Sequence, residues 1–445
     1  VALLISTTKA ITDYINDLTK VFGKTKQKEN ILVKIIGPVF FGKKAERLFS
    51  EKKFGKITLV TEDIDSIEAY FYTDSGRLRI GKDTTTTNAD KKTLQPQRKK
   101  KVLIVDDSKT IRHLLTKVLE KELEVVACAE RPSQVEELII KHNPDVITLD
   151  IHMPEMDGVQ LLQKYLPKYK ITTVMISSIS MEESDHVLRA LEIGAVDYIK
   201  KPSLEELDIM APLIVEKVKT AANAKIKSRI NQNAVTSKRL TASGLNQSTI
   251  IAIGSSTGGT EALREVLTQL PSGIPPIVIV QHIPPVFSKA FAMRLNELCE
   301  FEVKEAEDGD EVVPNRVLIA PGGTQMKIVN SQSGYKVKIT DDAPVNRHKP
   351  SVDYLFDSAA ELLGKKAIGV ILTGMGADGA KGLLKMRNAG ARTIAQDEAS
   401  CVVFGMPQAA INIGAAEQIK PLQKIAEAIL VLLNSRLNTQ KAINE

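Results

Sequence analysis

Short, predominantly apolar runs separated by helical patterns recur through most of this chain, and they settle its fold class before any motif is considered. Val102-Leu103-Ile104-Val105, Val146-Ile147-Thr148-Leu149, Thr173-Val174-Met175-Ile176 and Tyr198-Ile199 read as strands. Between the first two, Ile111 to Leu123 carries apolar residues at helical spacing. Runs without polar alternation fit strands covered on both faces, the condition of a parallel sheet with helices above and below. Thr249 to Ile253, Pro276 to Val280 and Ala367 to Leu372 repeat the pattern. The expectation is an α/β chain with two doubly wound parallel sheets, whose chemistry sits just past the carboxyl ends of the strands.

Polar stretches without an apolar face separate these regions. One runs through Thr84-Thr85-Thr86-Thr87-Asn88 to Pro96-Gln97, and another spans about 221–248. The predicted organisation is a small α+β region at 1–83, a linker at 84–100, a domain at 101–220, a linker at 221–248, a domain at 249–435 and a tail at 436–445. With 43% hydrophobic residues, the chain can bury several cores. No window approaches about 18 consecutive apolar residues, so no membrane insertion is expected. Val1 to Ile5 lacks the basic region of a secretory signal, and the missing initiator Met marks either processing or a start inside a longer frame.

Three widely spaced cysteines, Cys128, Cys299 and Cys401, argue against a disulfide framework and a zinc site, and for a reducing cytoplasm. The excess of 60 basic over 54 acidic residues gives a net charge of +6. Its basic clusters fall in linkers, and only 4% of residues are aromatic, so nucleic acid is not the expected partner.

Asp106 and Asp107 directly follow the first strand of the middle region, and Asp150 follows another. Ser177 and Lys201, the latter ahead of Pro202, follow two more. Three crowded carboxylates repel one another and call for a divalent cation, and hard oxygen donors favour Mg²⁺. Such an arrangement suits phosphoryl transfer to a carboxylate. The succession Val-Asp-Asp, then Leu-Asp-Ile-His-Met-Pro-Glu-Met-Asp-Gly, then Lys-Pro resembles the response-regulator receiver family over about 101–220. That resemblance implies a flavodoxin-like fold with Asp150 as phosphoacceptor. It also implies Asp107, Asp150 and the backbone carbonyl of His152 as metal ligands supported by Asp106, and Ser177 and Lys201 as the phosphate switch.

Gly254-Ser255-Ser256-Thr257-Gly258 fits a nucleophile elbow: a tight strand-to-helix turn that exposes its central serine at a helix N-terminus. A phosphate-cradling turn is the alternative, but Thr260 stands where a P-loop would place lysine. His282 follows the strand ending at Val280 and is the preferred base; His348, in a charged loop-like run, competes with it. Asp378, past the strand ending at Leu372, is the preferred carboxylate to orient the imidazole. The order Ser, His, Asp departs from the common α/β-hydrolases.

Instead, Ile253–Gly259, Gln281–Pro285, Pro344–Asp353, Leu372–Gly379 and Ser400–Pro407 closely resemble the catalytic domain of chemotaxis protein-glutamate methylesterases, over about 249–435. The resemblance implies a Rossmann-like serine esterase with Ser256 as nucleophile, His282 as base, Asp378 as orienter and the Met375 backbone N–H as oxyanion donor. It further implies hydrolysis of glutamate γ-methyl esters on chemoreceptors, deamidation of certain receptor glutamines, and activation by a chemotaxis histidine kinase. No cofactor is expected for the esterase step. A non-enzymatic adaptor and a transcriptional regulator are the competing classes; the first leaves Ser256, His282 and Asp378 unexplained, and the second lacks a helix-turn-helix.

Within residues 1–83, a helical pattern begins at Asp13, 31–36 reads as a strand and 69–80 as a hairpin. Their order resembles the latter part of chemoreceptor glutamine deamidases, but the region holds no Cys or His to do that chemistry. A docking module or an evolutionary remnant is the expectation.

Overall fold

The computed structural model describes five strands within residues 2–80, and residues 98–178, 181–203, 205–224 and 245–444. The chain divides into two compact units, Val1–Gln97 and Arg98–Glu445. In the first, β1 (Ala2–Leu4), β2 (Val33–Ile36), β3 (Ile57–Thr61), β4 (Ile64–Tyr72) and β5 (Arg77–Ile80) form one sheet in chain order. Its first three strands are parallel; β4 and β5 are antiparallel, with Tyr72 opposite Arg77 in the hairpin expected there. The strand expected at 31–36 corresponds to β2, whereas the helix expected from Asp13 lies outside the described residues.

The second unit opens with five β-strands and five helices in alternation: β6 (Lys101–Val105), α1 (Lys109–Leu119), β7 (Glu124–Ala129), α2 (Pro132–His142), β8 (Val146–Asp150), α3 (Gly158–Tyr169), β9 (Thr172–Ser177), α4 (Met181–Ile193), β10 (Asp197–Lys200) and α5 (Leu207–Asn223). The sheet order is β10-β9-β8-β6-β7, parallel throughout. All residues of β8 and β9 are buried, as befits largely apolar strands covered on both faces. The chain leaves β6 for β7 on one side and returns to β8 on the other. A crevice therefore opens between the carboxyl ends of β6 and β8, where a ligand site belongs. Helix α3 starts cleanly because Asp157 and Gln160 form a capping box. Helix α5 runs three residues past 220, burying Ala221 and Ala222.

The larger sheet follows the same logic. Its strands are β11 (Ile250–Ser255), β12 (Ile277–Gln281), β13 (Glu302–Glu305), β14 (Arg316–Ile319), β17 (Ala367–Ile371), β18 (Arg392–Gln396) and β19 (Gln418–Lys420). They lie in the order β13-β14-β12-β11-β17-β18-β19, all parallel. A separate antiparallel hairpin, β15 (Gln325–Ser331) with β16 (Gly334–Thr340), interrupts the alternation. The helices are α6 (Gly259–Leu267), α7 (Pro285–Leu298), α8 (Val352–Leu363), α9 (Ala380–Asn388), α10 (Met406–Asn412) and α11 (Ile425–Asn444). Strands β11, β12 and β17 are buried along their whole length. Truncating a fully buried side chain there, such as Ile253, would cost about 2–5 kcal/mol. The strand order reverses at β11, so the second crevice opens at its carboxyl end. No helix among the described residues is long and apolar enough to cross a membrane.

Candidate active site

The turn after β11 carries Ser256. Its neighbour Thr257 is followed by Gly258 in the left-handed region at φ 74°, and helix α6 begins at Gly259. An added Cβ at Gly258 would lie 2.7 Å from the side chain of Val402, so glycine is needed both for backbone and for space. Ser256 N–H donates to the Thr373 carbonyl at 3.0 Å, and the Thr373 hydroxyl donates to the Thr257 carbonyl at 3.0 Å. The serine turn is thereby tied to the loop after β17. Gln281, fully enclosed, joins it to the next loop: its amide accepts from Ser255 Oγ at 2.6 Å and donates to the carbonyls of Ser256 at 2.9 Å and His282 at 3.2 Å.

His282, Asp378 and Ser256 thus belong to loops past three adjacent strands, β12, β17 and β11. The His282 ring meets Asp378 through Nε2, 2.8 Å from Oδ2. Nδ1 is buried without a hydrogen-bond partner among the described residues, Ser256 Oγ included. Asp378 is 2% exposed. Besides His282, its carboxylate accepts from Ser351 Oγ at 2.8 Å, Asn346 Nδ2 at 2.7 Å, and the backbone N–H groups of Val352 at 2.7 Å and Asp353 at 3.3 Å. Burial pushes this carboxyl up, but the hydrogen bonds from His282, Asn346 and Val352 outweigh it and hold Asp378 well below the usual carboxylate range. It is anionic at any working pH.

Ser256, His282, Met375 and His348 line one cleft of about 250 Å³. Met375 sits at the turn between Gly374 and Gly376; a Cβ on Gly374 would fall 2.3 Å from Met406 Sδ and 2.8 Å from Ser256 Cβ. His348, the competing base of the sequence analysis, lies with its ring stacked on that of His282. Both histidines are therefore in the site, but only His282 meets the carboxylate.

The middle region supplies the other wall of the cleft, through Leu191 of α4, Val196, Asp197 and Tyr198 at the start of β10, and Leu213 and Lys217 of α5. Asp197 Oδ2 accepts from Thr257 Oγ1 at 2.5 Å, one residue from Ser256, while its Oδ1 accepts from Lys217 Nζ at 2.8 Å. Tyr198 packs on Phe287 at 4.8 Å between ring centroids, and Arg294 makes a two-nitrogen ion pair with Glu192.

At the far end of β10 lies the acidic crevice. Asp106, Asp107 and Asp150 each offer a carboxylate oxygen, all within 4.8 Å of one another. Asp150 is 1% exposed and accepts from Lys201 Nζ at 2.7 Å and His152 N–H at 3.3 Å. Lys201 also stands 3.5 Å from Asp106 Oδ2, a buried oxygen without a hydrogen-bond donor among the described residues. Burial and the Asp150 charge push Asp106 up to about 6 against the pull of Lys201; Asp150 too is raised, by burial above all. Hard oxygens with excess negative charge and an unsatisfied buried acceptor fit a divalent cation. Ser177 closes β9, and its carbonyl accepts from Lys201 N–H at 2.8 Å. The five residues expected at one sheet edge lie at one sheet edge.

The family model described as CheB methylesterase matches residues 251–429, and that of the response regulator receiver domain matches 102–211. The protein-glutamate methylesterase/protein-glutamine glutaminase of Bordetella parapertussis is 48% identical over 345 residues, covering 76% of this chain and 99% of its own length. That of Salmonella typhimurium is 47% identical over 340 residues, covering 75% and 97%. Among solved structures, the catalytic domain of Thermotoga maritima CheB methylesterase is 44% identical with a TM-score of 0.41, covering 43% of this chain and all of that one. The response regulator domain of the same protein is 35% identical with a TM-score of 0.27, covering 29% and 100%. With a receiver domain ahead of a methylesterase domain, and relatives matched over nearly their whole length, the chain belongs to the protein-glutamate methylesterase/protein-glutamine glutaminase family.

Proposed function

We propose that Ser256, His282 and Asp378 hydrolyse glutamate γ-methyl esters of chemoreceptors, and that phosphorylation of Asp150 controls access to them. The observation that carries this reading is the His282–Asp378 pair in a cleft shared with Ser256. Because Asp378 accepts a proton-bearing Nε2, the neutral imidazole keeps its lone pair on Nδ1. As Ser256 Oγ attacks the ester carbonyl carbon, Nδ1 takes the hydroxyl proton and Asp378 stabilises the resulting imidazolium. The Met375 N–H supports the oxyanion of the tetrahedral intermediate. Collapse breaks the bond to methoxide, which leaves as methanol with the proton from His282. Water then repeats the sequence on the acyl-serine, releasing a free glutamate. A glutamine side chain entering the same cleft would lose ammonia instead.

In the receiver, a carboxylate oxygen of Asp150 attacks the phosphorus of the donor, with a chemotaxis histidine kinase as its source in a cytoplasmic setting. Asp106, Asp107, Asp150 and the His152 carbonyl would hold Mg²⁺, which supplies charge neutralisation for the incoming phosphoryl group. Lys201, already on Asp150, would move to the phosphoryl oxygens, with Ser177 beside it. Because Asp197 opens the four-residue strand β10 and Lys201 directly follows it, a shift of β10 reaches the wall of the esterase cleft. A receiver wall across the cleft suits a closed state that phosphorylation opens.

The test is methanol release from methylated receptor membranes, with and without a small phosphodonor and Mg²⁺. Donor and Mg²⁺ together should raise the rate, and Ser256→Ala should abolish it, since the covalent route is gone. Near-normal release by Ser256→Ala would remove the nucleophile assignment.

A further inference from the structure

His348 enters no step of the chemistry above, yet it is the group in closest register with the base. Its ring lies 3.7 Å from that of His282 between centroids, at an interplanar angle of 11°. The backbone beneath it is held on both sides: Val345 and His348 exchange N–H···O bonds of 3.1 and 2.9 Å. Fully buried Gln325 donates to the His348 carbonyl at 3.1 Å and accepts from Ser351 N–H at 2.8 Å. The two residues before it, Asn346 and Arg347, sit at φ 52° and 69°, a conformation that residues other than glycine adopt uncommonly. Backbone held in that region by its surroundings gathers at working sites.

We infer that His348 is a positioning residue for the esterase: its imidazole, stacked on that of His282, fixes the plane in which His282 presents Nδ1 to Ser256. Asp378 restrains the His282 ring only at Nε2, about which the plane can still swing. A flat partner across its face removes that freedom. The inference rests on the assignment of His282 as the base.

The charge state of His348 fits this task. Burial first, then the neighbouring His282, lower it to about 4; Asp378 acts the other way, and Arg347 and Lys217 add to the lowering. The ring is uncharged near neutral pH. A second cation at this separation would oppose formation of the imidazolium on His282, whereas a neutral aromatic face does not.

Two variants of similar volume separate stacking from mere filling, assayed as the full chain with phosphodonor on methylated receptor membranes. His348→Gln, which has no ring, should lower kcat roughly 10- to 100-fold with KM within about twofold. His348→Phe, a flat ring of similar size, should return kcat to within about threefold with KM unchanged. Normal kcat in His348→Gln would overturn the inference, as would His348→Phe being as impaired as His348→Gln. His282→Ala, run alongside, distinguishes the failures. If it retains turnover, the base assignment falls first; if it is inactive while His348→Gln is normal, only the positioning role falls.

Discussion

Asp150 and Asp378 are both all but excluded from water in loops or strand ends of parallel sheets, yet their proton affinities move in opposite directions. Burial raises both. Asp378 receives five hydrogen bonds from four neighbouring residues and the base, which reverse the effect. Asp150 has Lys201 and one long backbone bond, and it faces Asp106 and Asp107. The contrast separates two uses of a buried carboxylate. One is fully satisfied and fixed as a charge that orients an imidazole. The other is left under-satisfied, with capacity for a cation and a phosphoryl group.

The sharpest way to break this comparison is to make the same substitution in both places. Asp378→Asn should lower kcat by roughly 10⁴, because the amide no longer enforces the Nε2–H tautomer, and should cost about 3 kcal/mol of stability as the surrounding donors lose their anion. Asp150→Asn should abolish stimulation by phosphodonor, leave basal turnover in place, and keep stability within about 1 kcal/mol, since it also removes repulsion from Asp106 and Asp107. Methanol release with thermal and urea unfolding of both variants in metal-free buffer is the check. Equal destabilisation by the two substitutions would show that the two carboxylates are held alike.

A smaller effect is expected where the two sites meet. Asp197 joins Thr257, next to the proposed nucleophile Ser256, to Lys217 of the receiver. Hydrogen bonds to a buried charge contribute about 1.5–3 kcal/mol, so Asp197→Ala should raise unphosphorylated turnover by roughly tenfold and shrink the stimulation by phosphodonor in proportion. Basal activity at or below that of the parent would mean that this contact does not hold the cleft closed.

The same division governs what could be read from the sequence. The acidic crevice was legible because each member directly follows a strand that its own apolar run announces; Asp106, Asp107 and Asp150 need no partner to be found. The elbow at Ser256 was legible for the same reason. Gln281, Asn346, Ser351 and Gln325 were not. Each is an ordinary polar residue whose meaning lies in a partner on another loop, as with Asn346 and Asp378, 32 residues apart, or Gln281 and Ser255, 26 apart. The run around His348 reads only as charged and loop-like, because nothing in its pattern signals that a buried glutamine pins it over another imidazole. Strand β7 was missed too. It is an edge strand, only partly buried, and its Ala127 and Cys128 weaken the apolar signal that marks β8 and β9.

An effect confined to acid pH concerns stability, and it places His348 beside Asp378. An unfolded histidine titrates near 6.5, whereas His348 in the folded chain is lowered to about 4. Between those values the unfolded state binds a proton that the folded state refuses. Stability is therefore lost as pH falls through this window, by at most about 1.4 kcal/mol per pH unit. Above about 6.5 the two states are both neutral and the effect vanishes. Asp378 has the same sign of dependence over a lower range: its depressed proton affinity stabilises the fold above the ordinary Asp value of 3.8, and that contribution is lost as pH falls below it. His348→Phe should therefore remain more stable relative to the parent as pH is lowered from 6.5 to 4, with no further divergence below, when urea midpoints of the two are compared at each pH. Parallel curves across that range would mean that the imidazole over His282 accepts protons as freely in the folded chain as in the unfolded one.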